Sequence, residues 1–325
     1  MSRILLTAIG SMAAAPAARR YQALGHTVFG CDIYPREWTA LAGELEFFQA
    51  RLATEGEPYV EQLREAVRRD RLDFLIPLTD PEVDALSPRK AEFRALGCTV
   101  CVPEERVAAL CRRKDTMNRF LAEKQVCRLI PTEIAVPGRP CPFPFPAMVK
   151  PRSGRSSLGQ AVAADEKSYQ TALAGREDCI VQPFLEGDVF CVDVARDAFG
   201  HTRAAARQEL LRNKSGLGMT VEVLPGHPLE AVCAAIAEAV GLVGVVNMEF
   251  IVNDSGAWFL EVNPRFSGGV GFSVLAGVDF SMAAGMDFAE MMLCCHSGGS
   301  VEAFPAAPKH ALLARESNIV LTQLR

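Results

Sequence analysis

The first hundred residues alternate short apolar runs with amphipathic helical patterns, and this alternation restricts the possible folds. The runs "RILLTAIG", "HTVFGCD" and "LDFLIPL" have the length of buried strands, and helical patterns follow them at residues 12–24, 57–70 and 81–96. Strand–helix–strand units of this kind build parallel sheets covered by helices. The run "CTVCVP" is expected to add an edge strand, so the sequence predicts an open α/β domain ending near residue 105.

The composition narrows the class of protein. With 325 residues, of which 49% are hydrophobic and 22% charged, the chain is long enough for two or three domains. A net charge of -5 without a long basic run makes nucleic acid an unexpected ligand, and the chain lacks the apolar run of about 18 residues that a membrane span requires. Eleven scattered cysteines indicate reduced thiols of a cytoplasmic protein, and their spacing does not predict a zinc site. The apolar N-terminus resembles a signal peptide, but the strand–helix–strand order that follows favours a folded domain.

Beyond residue 105 the pattern changes from parallel to antiparallel. Residues 106–186 are predicted to form a small central α+β segment, and residues 187–325 an antiparallel C-terminal segment. The predicted elements are a helix at 104–125, strands at 148–151, 179–187, 189–196, 202–208 and 219–224, a helix at 228–241, and two final strands, "NMEFIV" and "AWFLEV".

The final pair of strands carries acidic side chains although both strands have a buried pattern. If residues 254–256 form a three-residue loop, Glu249 lies directly opposite Glu261. Opposed carboxylates repel each other, and a bound cation removes the repulsion. Asn263 shares their face and completes an all-oxygen set of the kind that Mg²⁺ prefers. A four-residue loop would instead place the glutamates on opposite faces as solvated charges, and the sequence alone leaves both registers open.

A loop rich in glycine, serine and arginine follows the strand that ends near Lys150. This loop, "KPRSGRSSLGQ", is able to turn backbone N–H groups toward phosphate oxygens. Residues 154–160 are close to a P-loop, but Gln160 stands where that motif requires lysine, and no helix clearly begins there. A plain connection between two elements is the alternative. Lys114, taken alone, has the pattern of an ordinary solvated lysine.

Several stretches together resemble the ATP-grasp ligases, in particular the carbamoyl-phosphate-synthase-like branch of carboxylate–amine ligases. The stretches "RRKDTMNRFL", "PFPAMVKP", "VQPFLEGDVFCVDV", "NMEFIV" and "WFLEVNPRFSGG" occur in the order and spacing of that family. The resemblance implies a Rossmann-like N-terminal domain at residues 1–105, a small central domain at 106–186 and a C-terminal antiparallel domain at 187–325. ATP is expected to bind between the last two.

The resemblance also implies roles for individual residues. Lys114 and Lys150 resemble the two lysines that bind phosphates, and Arg265 resembles the arginine that steadies the acyl phosphate. The implied nucleotide-binding residues are Lys114, Lys150, Ser153, Gly154, Ser156, Ser157 and Gly159 for the phosphates, Gln182, Pro183, Phe184 and Leu185 for the adenine edge, and Asp188 for the ribose; the metal ligands are Glu249, Glu261 and Asn263; the catalytic residues are Lys150, Arg207 and Arg265. One departure concerns the ribose, because the family often has a glutamate where this chain has Val189, so Asp188 or Glu186 is expected to substitute.

The implied reaction is the activation of a carboxylate by ATP and Mg²⁺, with Mn²⁺ as a substitute metal. Phosphoryl transfer produces an acyl phosphate, which an amine then attacks. The step concentrates negative charge, so lysines, an arginine and a metal are the groups that it needs. An anionic substrate is expected near Arg207, Arg212 and Lys214, unless that segment is a solvated loop. The expected partners are a small-molecule carboxylate, such as an amino acid, a small-molecule amine, and a second copy in a homodimer.

Two other classes of function remain open. The opening βαβ unit suggests a nicotinamide-dependent oxidoreductase, although the first turn lacks G-x-G-x-x-G and only Asp32 stands as a ribose ligand. A non-catalytic ATP-binding regulatory protein would keep the fold and lose turnover. The nucleotide that raises the melting temperature distinguishes the oxidoreductase from the ligase.

Overall fold

A parallel sheet forms the N-terminal part of the protein. The computed structural model describes residues 1–154, 158–277, 286–305, 308–316 and 320–323. The N-terminal elements are β1 (Arg3–Leu6), α1 (Ala14–Ala23), β2 (Thr27–Asp32), β3 (Glu46–Gln49), α2 (Glu57–Asp70), β4 (Phe74–Ile76), α3 (Asp80–Leu86), α4 (Lys90–Ala95) and β5 (Thr99–Val100). The strands lie parallel in the order β3-β2-β1-β4-β5. The central strand β1 is buried because Ile4 and Leu6 pack with α1 on one face while Leu5 packs with α2 on the other.

Two helices that the sequence predicts as continuous are broken in the structure. The predicted helix at 81–96 is interrupted by a 3₁₀ turn at Ser87–Arg89, since Pro88 has no N–H to donate to the helix carbonyl four residues before it. The predicted helix at 104–125 consists of α5 (Glu105–Arg112) and α6 (Lys114–Lys124), separated by the extended backbone of Arg113. This second break allows the backbone N–H of Lys114 to bond to the carbonyl of Arg152 at 3.0 Å.

A small antiparallel sheet forms the central part. Its elements are β6 (Glu133–Ala135), β7 (Ala147–Pro151), β8 (Ala161–Ala163), α7 (Glu166–Leu173) and β9 (Cys179–Pro183), with the strands in the order β6-β9-β7-β8. Strands β7 and β9 confirm two predicted strands, whereas β6, β8 and α7 were not predicted. Tyr169 and Leu173 of α7 pack on Val149 and Val181 of the sheet, which is the core of this segment.

A larger antiparallel sheet forms the C-terminal part, as the sequence predicts. Its elements are β10 (Asp188–Arg196), β11 (Thr202–Arg212), β12 (Gly218–Val223), α8 (Pro228–Val240), β13 (Gly244–Asn253), β14 (Gly256–Asn263), α9 (Val270–Gly277), α10 (Phe288–His296) and β15 (Ala311–Ala314). Within the described residues the strand order is β14-β13-β10-β11-β12-β15. Val192, Val194 and Val246 are fully buried on the face covered by α8.

The segments predicted as separate domains share their cores. Helix α10 packs on α1, where the Tyr21 hydroxyl donates to the carbonyl of Ala289 at 2.9 Å and the Arg20 guanidinium pairs with Asp287. Residues of α5 and α6, such as Met117, belong to the core of the C-terminal sheet. The predicted boundaries at 105 and 186 therefore remain a prediction.

Neither a membrane helix nor a zinc cluster is found in the described ranges. No helix there is both long and apolar enough to cross a bilayer. The eleven cysteines are free thiols, and the described residues contain no group of three or more His, Cys, Asp or Glu arranged around a metal position.

Candidate active site

The turn between β13 and β14 differs from the expected one. It has two residues, because Asn253 pairs with Gly256 and not with Ala257. Gly256 has a φ of 125°, a conformation that favours glycine. Continued without interruption, this register would place Leu260 opposite Glu249 and turn Glu261 toward the other face of the sheet.

A β-bulge restores the predicted pairing. Phe250 pairs with Phe259, but the next residue, Glu249, pairs with Glu261, so that Leu260 is the extra residue of the bulge. Asn263 then shares a face with the two glutamates. The predicted opposition of Glu249 and Glu261 is therefore present, although the predicted turn is wrong.

The two glutamates and Asn263 form one polar cluster. The Asn263 Nδ2 atom donates to Glu249 Oε1 at 3.2 Å and to Glu261 Oε1 at 3.4 Å. Lys114 Nζ lies 2.9 Å from Glu261 Oε2, and an Arg212 guanidinium nitrogen lies 3.8 Å from Glu249 Oε2. The cluster thus has two carboxylates and one carboxamide within reach of a single ion.

The electrostatics of the cluster fit a divalent cation. Burial raises the pKa of Glu249, and the negative charge of Glu261 raises it further. Burial also acts to raise the pKa of Glu261, but the ammonium groups of Lys114 and Lys150 outweigh it and the net shift is downward. A cation between the carboxylates relieves their repulsion, and the all-oxygen donor set suits Mg²⁺ or Mn²⁺.

Two lysines flank this cluster. Lys150 lies near the end of β7 and is 5% exposed, and Lys114 begins α6 with an ammonium that donates to the Gly154 carbonyl at 3.3 Å. Burial and the charge of Lys114 together lower the pKa of Lys150 to about 8, against the opposing effect of Glu261 and Glu249. Both lysines line the same cavity as the glutamates, so they are placed to meet a polyanion.

The low pKa of Lys150 predicts a pH dependence of ATP binding. Below a pKa of about 8 the side chain carries the charge that attracts phosphate, and above it the charge is lost. We therefore expect the Kd for ATP, measured by titration calorimetry without metal, to increase as the pH rises through about 8. In Lys150→Ala this increase of the Kd with pH should disappear. An increase of the same size in that variant would contradict the assignment of the pH dependence to Lys150.

A cavity of about 210 Å³ lies between the central and C-terminal sheets. Apolar side chains of Met148, Val189, Ile251 and Leu260 form part of its wall. Of the residues predicted for nucleotide and metal, those that line it are Lys114, Lys150, Gly154, Gln182, Pro183, Phe184, Leu185, Glu249 and Glu261. The cavity wall therefore combines apolar and charged side chains, as a nucleotide site requires.

The segment predicted to bind the adenine edge lines the same cavity. The buried Gln182 side chain donates to the Thr132 hydroxyl at 2.7 Å, so its amide is held in place by the protein. The backbone N–H of Phe184 bonds to the carbonyl of Pro146 at 3.1 Å. Phe184 is consequently not the residue whose N–H is offered to a base, and Leu185 is the neighbouring candidate in the cavity wall.

Only part of the predicted phosphate loop can be located. Ser156 and Ser157 lie outside the described residues. Gly154 lines the cavity, whereas Ser153 is not among its lining residues. Gly159 has a φ of 71°, and its carbonyl accepts from Arg176 at 2.6 Å, which ties the end of the loop to the segment after α7.

The predicted ribose ligand does not reach the cavity. Asp188 is exposed at the start of β10 and is not one of the lining residues, while the adjacent Val189 is. Because neighbouring strand residues point to opposite faces, the two cannot both face the nucleotide cavity. The structure thus does not bring Asp188 together with the other predicted residues.

Arg265 lies at a second cavity, of about 340 Å³, which extends toward the N-terminal sheet. Its Nε and one terminal nitrogen contact the two carboxylate oxygens of Asp80 at 2.9 and 3.0 Å. The two cavities share Glu249 and Glu261 in their walls, together with Ser215 and Gly216. The acidic cluster therefore lies where the cavities meet.

Arg207 lies away from both cavities. Its guanidinium is 1% exposed and donates to Asp193 at 2.6 Å, to Ser273 at 3.0 Å and to Ser267 at 3.1 Å. This burial corrects the expectation that Arg207 contacts an anionic substrate. We assign it instead the structural part of joining β10 and β11 to the segment after β14.

Removal of Arg207 is expected to destabilise the fold. Arg207→Met leaves the buried Asp193 carboxylate without its cation, which costs about 3–5 kcal/mol of unfolding free energy. The matched control is Arg19→Met, because Arg19 forms an exposed ion pair with Glu44 that is worth about 1 kcal/mol or less. Urea unfolding of both variants measures the difference, and equal losses would contradict the structural part of Arg207.

Comparison with known proteins indicates what the chain is similar to. A family model described as ATP-grasp in the biosynthetic pathway with Ter operon matches residues 175–309. Over these residues the chain is similar to the ATP-grasp family. A formate-dependent phosphoribosylglycinamide formyltransferase of Pseudomonas savastanoi pv. phaseolicola is 26% identical over 231 residues, which cover 62% of this chain and 55% of that protein. The chain thus spans about half the length of the curated relatives that it matches.

Solved ATP-grasp structures share the architecture. The crystal structure of a biotin carboxylase–βγ-ATP complex from Campylobacter jejuni matches this chain with a TM-score of 0.73 at 16% identity. The match covers 96% of this chain and 74% of the carboxylase chain. An L-amino acid ligase of Bacillus licheniformis matches with a TM-score of 0.68 at 13% identity. This match covers 91% of this chain and 73% of the ligase chain. These identities show the fold alone, and they confirm the predicted class of a parallel N-terminal sheet followed by a two-part ATP-grasp fold.

The sequence interpretation missed Asp80 as a residue of this candidate site. Asp80 is 3% exposed, and its partner Arg265 is 185 positions away in the chain. Asp80 directly follows the end of "LDFLIPLT", and the carboxyl ends of parallel strands are where ligands bind in open α/β sheets. That rule was the available signal.

Proposed function

We propose that this protein is an ATP- and Mg²⁺-dependent ligase that activates a carboxylate as an acyl phosphate for attack by an amine. The observation that carries the proposal is that Glu249 and Glu261, bonded to Asn263, share a cavity with Lys114 and Lys150. Anionic oxygens at the junction of two cavities fit a metal that contacts ATP on one side and a substrate on the other.

The side chains of this site divide into three tasks. Glu249, Glu261 and Asn263 would hold Mg²⁺, with Mn²⁺ as a substitute, and the bound metal neutralises charge on the phosphates. Lys114 and Lys150 attract the phosphates and stabilise the charge of the transferring group. The apolar cavity wall holds the base and keeps water from the reacting phosphate.

Arg265 is the candidate for orienting the carboxylate. A carboxylate is a poor electrophile, and the γ-phosphoryl group converts it into an acyl phosphate with a good leaving group. The guanidinium lines the second cavity beside Asn263, on the side away from the base. A carboxylate held there lies near the acidic cluster, and the shared positive charge of Arg265 lowers the cost of bringing two anions together.

The two alternative functions find less support. Asp32, the only ribose ligand proposed for a nicotinamide cofactor, is 5% exposed and accepts the backbone N–H groups of Gly10 at 2.7 Å and Tyr34 at 3.1 Å. The Asp32 carboxylate therefore fixes the backbone at Gly10 and Tyr34, which gives less support to a role in binding a ribose. A non-catalytic ATP-binding protein would not need Arg265 at a second cavity joined to the metal cluster.

The expected substrates are a small carboxylic acid, such as an amino acid, and a small amine. The names of the similar formyltransferase and amino acid ligase specify small-molecule substrates, which supports this class of substrate. Cytoplasmic location and a homodimer belong to the same proposal and rest on the scattered thiols and on the frequency of two-fold dimers.

A phosphate-release assay tests the proposal. The protein is incubated with ATP and Mg²⁺ across a panel of amino acids and small carboxylic acids, with hydroxylamine present to trap an acyl phosphate as a hydroxamate. Phosphate release that depends on one acid, with stoichiometric hydroxamate, is the expected result. Nicotinamide cofactors, and not ATP, raising the melting temperature would contradict the proposal.

A further inference from the structure

The second cavity carries information about the substrate beyond its carboxylate, and the argument rests on the proposed ligase function. The cavity is bounded by the start of α1, the end of β14 and the turn between β11 and β12. The residues at its junction with the first cavity, Glu249 and Glu261, are acidic. A substrate in this space is therefore selected partly by its charge.

Arg265 has limited capacity to bind more anions. Of its five N–H groups, two donate to Asp80 and one to the Phe266 carbonyl at 3.0 Å, which leaves two. Asp80 also balances the guanidinium charge, and burial with this partner fixes the orientation of the side chain. Two remaining donors suit one carboxylate.

Apart from Glu249, Glu261 and Arg265, the wall of the cavity is uncharged. Among the described residues that line it, Arg265 is the only cationic side chain. Met12, Leu78, Leu217 and Phe266 contribute apolar surface, and the polar groups that remain are hydroxyls, the Asn263 carboxamide and backbone. A phosphate ester, with nearly two negative charges, would find here a single guanidinium that is already paired with Asp80.

We propose that the second cavity selects an acid with a single carboxylate on a partly apolar body that carries no further negative charge, and discriminates against phosphorylated substrates. The name of the formyltransferases among its relatives specifies formate as well as a phosphorylated second substrate, and this second substrate is the one that the wall would disfavour. The selection lies in the charge of the wall: Arg265, already paired with Asp80, accepts one carboxylate, and the apolar side chains accept the body.

The first experiment compares substrates on the intact protein. Phosphate release with ATP and Mg²⁺ is measured with neutral amino acids and unbranched or branched monocarboxylic acids, and separately with phosphorylated acids of similar size, such as phosphoserine beside serine. The expected result is a kcat/KM for the best neutral acid at least about tenfold above that for the phosphorylated substrate. The reverse order overturns the selection and leaves the ligase function in place.

The second experiment changes the charge of the wall at Met12, whose side chain is 42% exposed and therefore tolerates substitution. Met12→Glu should raise the KM for the acid by about three- to tenfold, and Met12→Arg should lower it, since a unit charge at the wall acts on the carboxylate in opposite directions. The KM for ATP should stay unchanged in both. Leu52→Glu, at an exposed position that lines neither cavity, is the matched control.

The outcomes separate the two proposals. Opposite shifts of the two Met12 variants support a charge-selective wall, whereas shifts in the same direction overturn it, because they indicate only a disturbed surface. A protein that binds ATP with Mg²⁺ but releases no phosphate with any acid, phosphorylated or neutral, overturns the ligase function and the selection with it.

Discussion

Glu261→Ala is expected to abolish ATP-dependent phosphate release while the protein stays folded. The substitution removes one of two carboxylates in the proposed metal site and the ion-pair partner of Lys114 at 2.9 Å. Loss of one such charge-stabilising group typically reduces kcat by about a hundred- to a thousandfold. The side chain is 20% exposed at a cavity, so its truncation leaves the surrounding core unchanged.

The control for Glu261 is an acid on the same sheet. Glu222 lies on β12 and pairs with the exposed His310 at 2.8 Å, and it lines neither cavity. Glu222→Ala should keep full phosphate release. The rate is measured over a range of Mg²⁺ concentrations, and circular dichroism confirms the fold. Full activity of Glu261→Ala at every Mg²⁺ concentration would remove the main support for the ligase.

Lys150→Ala is expected to have the second large effect, through the nucleotide. The ammonium of Lys150 is buried in the wall of the first cavity, where water does not screen its attraction for phosphate. We expect kcat/KM for ATP to fall by about a hundred- to a thousandfold. The fold should persist, because removing a buried ammonium also removes its desolvation cost.

Lys167 on α7 provides the control for Lys150, since it belongs to the same central segment and is exposed. Lys167→Ala should release phosphate at the normal rate. The two active-site variants should also differ from each other: Lys150→Ala weakens ATP binding without metal, whereas Glu261→Ala mainly changes the dependence on Mg²⁺. Equal ATP affinity of Lys150→Ala and the parent protein would refute its phosphate-binding role.

The hairpin shows why sequence periodicity predicted the acidic cluster but not its backbone. Alternation along β13 and β14 placed the acids on one face, and that pattern is strong because it recurs over several residues. The turn has one residue fewer than expected, and the bulge at Leu260 adds one back. A bulge depends on local twist and packing and has no consistent residue signature, so these two errors offset each other.

Contacts between distant parts of the chain explain the other differences. Arg207 carries the charge expected of a substrate ligand, yet its guanidinium donates its hydrogen bonds to Asp193, Ser267 and Ser273 in a buried network. Nothing in a single sequence shows which positive charge is matched internally. The short strands β3, β6, β8 and β15, of three or four residues each, were missed because so few residues cannot display a period.

The ion pair between Lys114 and Glu261 makes occupancy of the two ligand positions interdependent. A cation that binds the carboxylates competes with the ammonium for the same oxygen, and the displaced ammonium becomes available to a polyphosphate. Thermodynamic reciprocity then requires that the polyphosphate favour cation uptake by the same factor. The pair therefore couples the two binding events. Without ligands the opposite charges of Lys114 and Glu261 balance each other, and once either the cation or the polyphosphate is bound, the affinity for the other ligand increases.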